Sequence, residues 1–169
     1  MTNELDELFN RYDAGTLTRR QLLAALAAFA LPVRLPPDTP AIALAKQLNH
    51  ATLYVRDVAE SQRFYQRMFG MPVLTVQPPG VNLAVGSGFI GLYPADKGVD
   101  PRIDHVCLGI DDFNADVVKH KLAAENVEAT IRMRGDTKEL YLADPNGIRI
   151  QVQDKRYRGG IGPLGARNP

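Results

Sequence analysis

Leu48-Asn49-His50-Ala51-Thr52-Leu53-Tyr54-Val55-Arg56-Asp57 recurs as Ile103-Asp104-His105-Val106-Cys107-Leu108-Gly109-Ile110-Asp111-Asp112. Each copy runs from an apolar residue through a polar one to a histidine, then along a strand-like stretch to an aspartate. Each is followed by a helical pattern. Internal repetition sets the architecture before any local propensity does. Here it also puts a histidine at the same point of each copy, so two equivalent strands can aim two imidazoles into one shared cavity.

From the first copy the pattern continues with Asp57 and Glu60, a helix-capping pair. The helix they open carries Ser61, Phe64, Tyr65 and Met68 as its expected inner face, and Gly70 stands where a helix ends. Strands follow at 72–76, 81–85 and 89–93. From the second copy, a helix over 114–124 is followed by strands at 129–133, 139–143 and 148–153. Asp144-Pro145-Asn146-Gly147 forms the turn before the last strand. Each half therefore reads β-α-β-β-β, and the fold class is α+β.

Residues 1–47 stand outside the repeat. Leu5, Leu8, Phe9 and Tyr12 share one helical face. Thr18 and Gln21 form a second capping pair, and a helix runs from there towards Pro32. Pro32–Pro40 reads as an extended Pro-rich linker. The expected hairpin packs on the domain or on a second subunit. Thr18-Arg19-Arg20-Gln21-Leu22-Leu23 also resembles a twin-arginine export signal, although acidic residues precede the arginines where a signal carries positive charge. The expected location is cytoplasmic, with export as the alternative. Residues 155–169, with their glycines and arginines, read by default as a mobile tail, with a segment folded over the cup's mouth or a partner subunit as the alternative.

The 169 residues carry 45% hydrophobic side chains, a formal charge of +1 and a single cysteine, Cys107. That suits one globular domain with an appendage, excludes an internal disulfide and gives no basic stripe for nucleic acid. No run reaches the ~18 apolar residues of a membrane span. No P-loop, dinucleotide fingerprint or Gly-x-Ser-x-Gly elbow occurs.

With these residues in hand, the chain resembles the vicinal oxygen chelate superfamily, the group of glyoxalase I, extradiol dioxygenases, methylmalonyl-CoA epimerase and the fosfomycin and bleomycin resistance proteins. The resemblance lies in Leu48-Asn49-His50, Asp57, Phe64-Tyr65 and Phe69-Gly70 of the first half. In the second it lies in Ile103-Asp104-His105 and in Tyr141 to Gln151. It implies two βαβββ modules, 48–98 and 103–154, curved into one open cup-shaped barrel. It also implies metal ligands from the first and last strand of each module. Here these are His50, His105 and Gln151, where many members carry Glu. Aligning Gly88 with Gly147 puts Leu92, which cannot bind metal, at the remaining position.

The implied cofactor is a divalent metal, Fe(II) first, with zinc, manganese or nickel as alternatives. Strand alternation adds Thr52, Tyr54, Cys107, Arg149 and Gln153 as substrate-binding candidates, and Leu92 joins them from the remaining position that the resemblance implies. Tyr141 precedes Gln151 at the spacing where ring-cleaving dioxygenases carry an active-site tyrosine, and is the catalytic candidate. His120 reads as solvated. The expected function is a metal-dependent oxygenase or ring-cleaving dioxygenase acting on a small oxygenated molecule, working as a homodimer. A non-catalytic binding protein of the bleomycin-resistance kind is the alternative, and a glyoxalase- or epimerase-type lyase or isomerase the third. Gln151 has its own plain reading, a hydrogen bonder lining a pocket without metal.

Overall fold

The computed structural model describes residues 2–30 and 40–169, which divide into a short helical unit and a larger domain. In the helical unit, α1 (Thr2–Asp13) turns at Gly15, whose φ of 71° suits glycine, into α2 (Arg19–Ala30). Gln21 N–H donates to Thr18 Oγ1 at 3.3 Å, and Thr18 N–H donates to Gln21 Oε1 at 2.9 Å, which completes the expected capping box. The Pro-rich linker lies, but for Pro40, outside the described residues.

The domain is built twice on one plan. The first module comprises β1 (Ala45–Val55), α3 (Val58–Phe69), β2 (Val73–Gln77), β3 (Gly80–Val85) and β4 (Gly88–Pro94). The second comprises β5 (Arg102–Ile110), α4 (Ala115–Ala124), β6 (Ala129–Arg134), β7 (Thr137–Ala143) and β8 (Arg149–Asp154). The strands form one sheet in the order β2-β3-β4-β1-β5-β8-β7-β6. β1 pairs with β4, and β5 with β8, in parallel; β1 and β5 join the modules antiparallel.

Local chemistry sets the helix ends as the sequence indicates. Asp57 accepts from Glu60 N–H at 2.8 Å, and Asn114 accepts from the N–H groups of Asp116 and Val117. Gly70 closes α3 in the left-handed region.

Each helix covers one half of the sheet's outer face. Met71, Val81, Leu83 and Leu92 form the core of the first module, joined by Leu53, Val55, Val58, Tyr65 and Ile90. Ile110, Ala115, Val118, Leu122, Leu140 and Val152 form that of the second. The inner face is different in kind: Asn49, His50, Thr52, Thr75, Gln77, Asn82, His105, Thr137, Glu139, Gln151 and Gln153 are all buried there or at its ends. A polar interior of this size persists only where its groups find partners, and such a face serves a site rather than a core.

Two expectations need correction. Phe64 and Met68 do not form the inner face of α3; they stand 51% and 53% exposed beside Phe69, while Val58 and Tyr65 turn inward. The segment 155–169 is no loose tail but a strap. Its glycines 159, 162 and 165 adopt positive φ and fold it tightly. Thr75 Oγ1 and Asn82 Nδ2 of the first module donate to its carbonyls at 158 and 159. Thr137 Oγ1 of the second donates to the carbonyl of Gly162 at 2.6 Å. These bonds tie β2–β3 to β7, and Arg134 of edge strand β6 reaches Gln77 of edge strand β2.

Candidate active site

His50 and His105 meet inside the cup, with their Nε2 atoms 3.3 Å apart. Gln151 Oε1 lies 2.9 Å from His105 Nε2. The three side chains come from β1, β5 and β8, adjacent strands in the middle of the sheet, and all are buried.

The hydrogen-bond network fixes what each atom offers. Asn49, fully buried, donates through Nδ2 to the carbonyls of Lys155 and Tyr157 at 3.0 and 3.1 Å. Its Oδ1 therefore faces His50 Nδ1, 2.9 Å away, and that ring nitrogen must donate. In the second module Asp104 Oδ2 lies 2.6 Å from His105 Nδ1, so the same tautomer follows. Both Nε2 lone pairs then face each other and the Gln151 carbonyl oxygen. Burial, with each histidine beside the other, lowers the His50 pKa to about 3, and burial also lowers that of His105, so protonation does not fill the gap.

With the Gln151 amide oxygen turned inward and its Nε2 left without a hydrogen-bond partner among the described residues, three acceptors converge on one point, which is the arrangement a cation resolves. An ion holding N and O donors at about 2.1 Å sets neighbouring donors roughly 3.0 to 3.4 Å apart, close to the distances here. Asn49 and Asp104 supply the outer hydrogen bonds that aim metal-binding imidazoles. The residues fit a divalent metal. Among the described residues no three of His, Cys, Asp and Glu come together for this purpose, because the third donor is an amide.

The parallel registers correct the fourth position. His50 pairs with Phe89, and Val106 with Ile150, so Gly91, not Leu92, is the counterpart of Gln151. Leu92 is wholly buried in the helix-side core and plays no part in the cup. A single-residue slip moves a side chain to the other face of the sheet. A Cβ on Gly91 would come within 2.9 Å of Asn82 Oδ1, so this position is filled by neighbours rather than left for a ligand.

The cup has a cavity of about 200 Å3. Of the expected residues, His50, Thr52, Tyr54, His105, Tyr141, Arg149 and Gln151 line it, and Cys107 and Gln153 do not. Cys107 is fully buried, and burial raises its thiol pKa well above the ordinary range. Gln153 is buried and donates to the carbonyl of Lys138 at 2.7 Å. His120 is exposed on α4.

Glu139, Tyr157 and Phe89 are site residues the sequence reading missed. Glu139, only 1% exposed, accepts from Arg134 Nε at 2.6 Å. It also accepts from the hydroxyls of Tyr141 and Tyr157, each at 3.0 Å. Burial raises the pKa of both phenols, and the Glu139 charge adds to it. Phe89 stacks on His50, with ring centroids 4.2 Å apart. Arg149 Cζ lies over the Tyr141 ring, 4.3 Å from its centroid, and Nη1 donates to Asp104 at 2.7 Å. The alternation of Thr137, Glu139 and Tyr141 on β7 was the available signal for Glu139.

Residues 47–152 match the model of the Glyoxalase/Bleomycin resistance protein/Dioxygenase superfamily. The chain belongs to this superfamily. Within it, the chain is 27% identical over 135 residues to lactoylglutathione lyase of Haemophilus influenzae, covering 69% of this chain and 98% of that one. Methylmalonyl-CoA epimerase of Mycobacterium tuberculosis shares the fold at a TM-score of 0.55 and 19% identity, over 68% of this chain and 91% of that one. The 2,3-dioxygenase LapB of Pseudomonas sp. KL28 does so at 0.57 and 17%, over 68% and 42%. The superfamily's two-module cup is the architecture described above. Among the described residues no helix is long and apolar enough to cross a membrane.

Proposed function

We propose that this chain is a metal-dependent enzyme of oxygenase type acting on a small oxygenated substrate, with His50, His105 and Gln151 holding Fe(II) or another divalent ion. The convergence of three buried acceptors at 2.9–3.3 Å carries the reading. A bound Fe(II) ion supplies open coordination positions for substrate oxygens and dioxygen.

The chain's own groups do the rest. Asn49 and Asp104 hold the two rings with Nε2 inward. Tyr141 and Tyr157 spend their protons on Glu139, so towards substrate each hydroxyl is an acceptor. They receive a substrate hydroxyl and orient it. Phe89 and the strap residue Tyr157 wall the cup against water.

The lyase or isomerase reading draws on the lactoylglutathione lyase relative. That chemistry takes a proton from carbon, and the two last-strand positions, Gly91 and Gln151, provide no base for it. Protein loaded with Fe(II) under anaerobic conditions is expected to consume oxygen with a member of a panel of ortho-diols, keto-enols and hydroxylated aromatics. Tyr141→Phe should slow that turnover while leaving metal content unchanged. Ligands that stabilise the protein equally with and without metal, and return unchanged by mass spectrometry, would favour the binding-protein reading instead.

A further inference from the structure

Three arginines, Arg132, Arg134 and Arg149, line the cavity against two carboxylates, Asp104 and Glu139. Their commitments differ. Arg134 is tied to Glu139 and Gln77. Arg149 donates through Nη1 to Asp104 and rests on Tyr141. Arg132 comes only within 3.8 Å of Glu139 Oε2, beyond hydrogen-bond reach, and its side chain makes no hydrogen bond among the described residues. Glu139 is shared: its Oε1 accepts from Arg134 and Tyr157 and its Oε2 from Tyr141, so a single carboxylate charge serves both Arg134 and the more distant Arg132.

A half-exposed arginine is most often simply solvated. Arg132 differs in facing a concave wall, next to the paired strand that carries Glu139 and Tyr141. The site carries one cation in excess before any metal is counted, and its metal donors include no carboxylate. Another part of the lining is of different character, built from Pro78, Pro79, Phe89 and Tyr93. One part suits a planar anion and the other an apolar body.

We propose that Arg132, which lines the same cavity as Arg149, is a carboxylate subsite, and that the substrate is a small aromatic or otherwise apolar carboxylic acid. A guanidinium fork matches a carboxylate in shape and charge. The cavity of about 200 Å3 lies below the roughly 300–1,000 Å3 of drug-sized pockets, which points to a small free acid. The subsite rests on the metal-enzyme reading only for where the reacting end of the substrate lies.

The test uses the full chain loaded with zinc, which is redox-silent. Benzoate, phenylacetate and 2-hydroxybenzoate are each titrated against their primary amides by calorimetry and ligand-observed NMR. The same series is run on Arg132→Gln and Arg132→Lys, with metal content measured for every preparation. At least one acid should bind about tenfold more tightly than its amide. That ratio should fall towards one in Arg132→Gln, survive in part in Arg132→Lys, and do so at constant metal content. Acids and amides binding alike, or an acid preference unchanged in Arg132→Gln because the carboxylate sits on the metal, would overturn the proposal. Arg132-dependent acid binding by a protein that holds no metal would leave the subsite standing and refute the metal reading alone.

Discussion

Replacing Asn49 with leucine, nearly the same size, tests how the strap and the metal site depend on one side chain. Asn49 makes three hydrogen bonds. The carbonyl of Lys155 keeps a second donor, Gln47 Nε2 at 2.6 Å, so its loss is partial. The carbonyl of Tyr157 and the His50 Nδ1–H are left without partners. Each orphaned buried group costs about 1–3 kcal/mol. A buried leucine returns about 1.5–3 kcal/mol of transfer energy, less the cost of fitting its branched end. The balance is a loss of about 1–3 kcal/mol, or a melting temperature lower by roughly 3–10 °C for a chain of this size. Without Asn49, His50 is also free to turn or to change tautomer, and metal affinity should drop about 10- to 100-fold. Urea denaturation and competition with a metallochromic chelator measure the two effects on the same protein. A variant that loses stability but binds metal as tightly as wild type would refute the claim that Asn49 sets the His50 tautomer.

Gln151→Glu should act in opposite directions with and without metal. In the metal-free protein it buries a carboxylate beside two neutral imidazoles and lowers the melting temperature; with metal bound, the matching charge tightens binding and raises it. Thermal scans with and without zinc read both signs. Burial raises the pKa of Tyr93, Tyr141 and Tyr157, three of the six tyrosines. These phenols stay protonated in the folded protein while the unfolded chain loses protons near pH ~10. Their contribution to stability is therefore complete below that pH and is lost as pH rises through the folded values, so alkaline unfolding follows. In a difference spectrum against the Tyr93→Phe, Tyr141→Phe and Tyr157→Phe variants, the phenolate signal of these three should appear only together with the cooperative loss of circular dichroism.

The repeat around His50 and His105 gave the architecture because its signals are local: alternation, a capping aspartate, a helix-ending glycine. That His50, His105 and Gln151 would face one another follows from the repeat and from the family resemblance, which places them on the first and last strands of their modules; the structure brings the three side chains together. Leu92 falls outside the cup because Gly88 and Gly147 are not equivalent anchors: Gly88 opens its strand, whereas Gly147 lies two residues before its own. The pairing of His50 with Phe89 sets the register instead, and only the folded sheet displays it. Glu139 escaped notice because a charged residue in Lys138-Glu139-Leu140 reads as solvent-facing. Its partners Arg134 and Tyr157 arrive from another strand and from the strap. The strap was misread because glycine-rich composition signals mobility, whereas here its carbonyls are met by Asn49, Thr75, Asn82 and Thr137, residues distant in sequence.

The proposed function stands on His50, His105 and Gln151 holding one metal ion together. Metal analysis by mass spectrometry on protein purified without chelator and resupplied with iron, zinc, manganese and nickel tests it most directly. About one tightly held divalent ion per chain is expected, lost in both His50→Ala and His105→Ala because the two remaining ligands hold it poorly. Wild-type protein that retains none of the four metals, or single-histidine variants that retain as much as wild type, would contradict it.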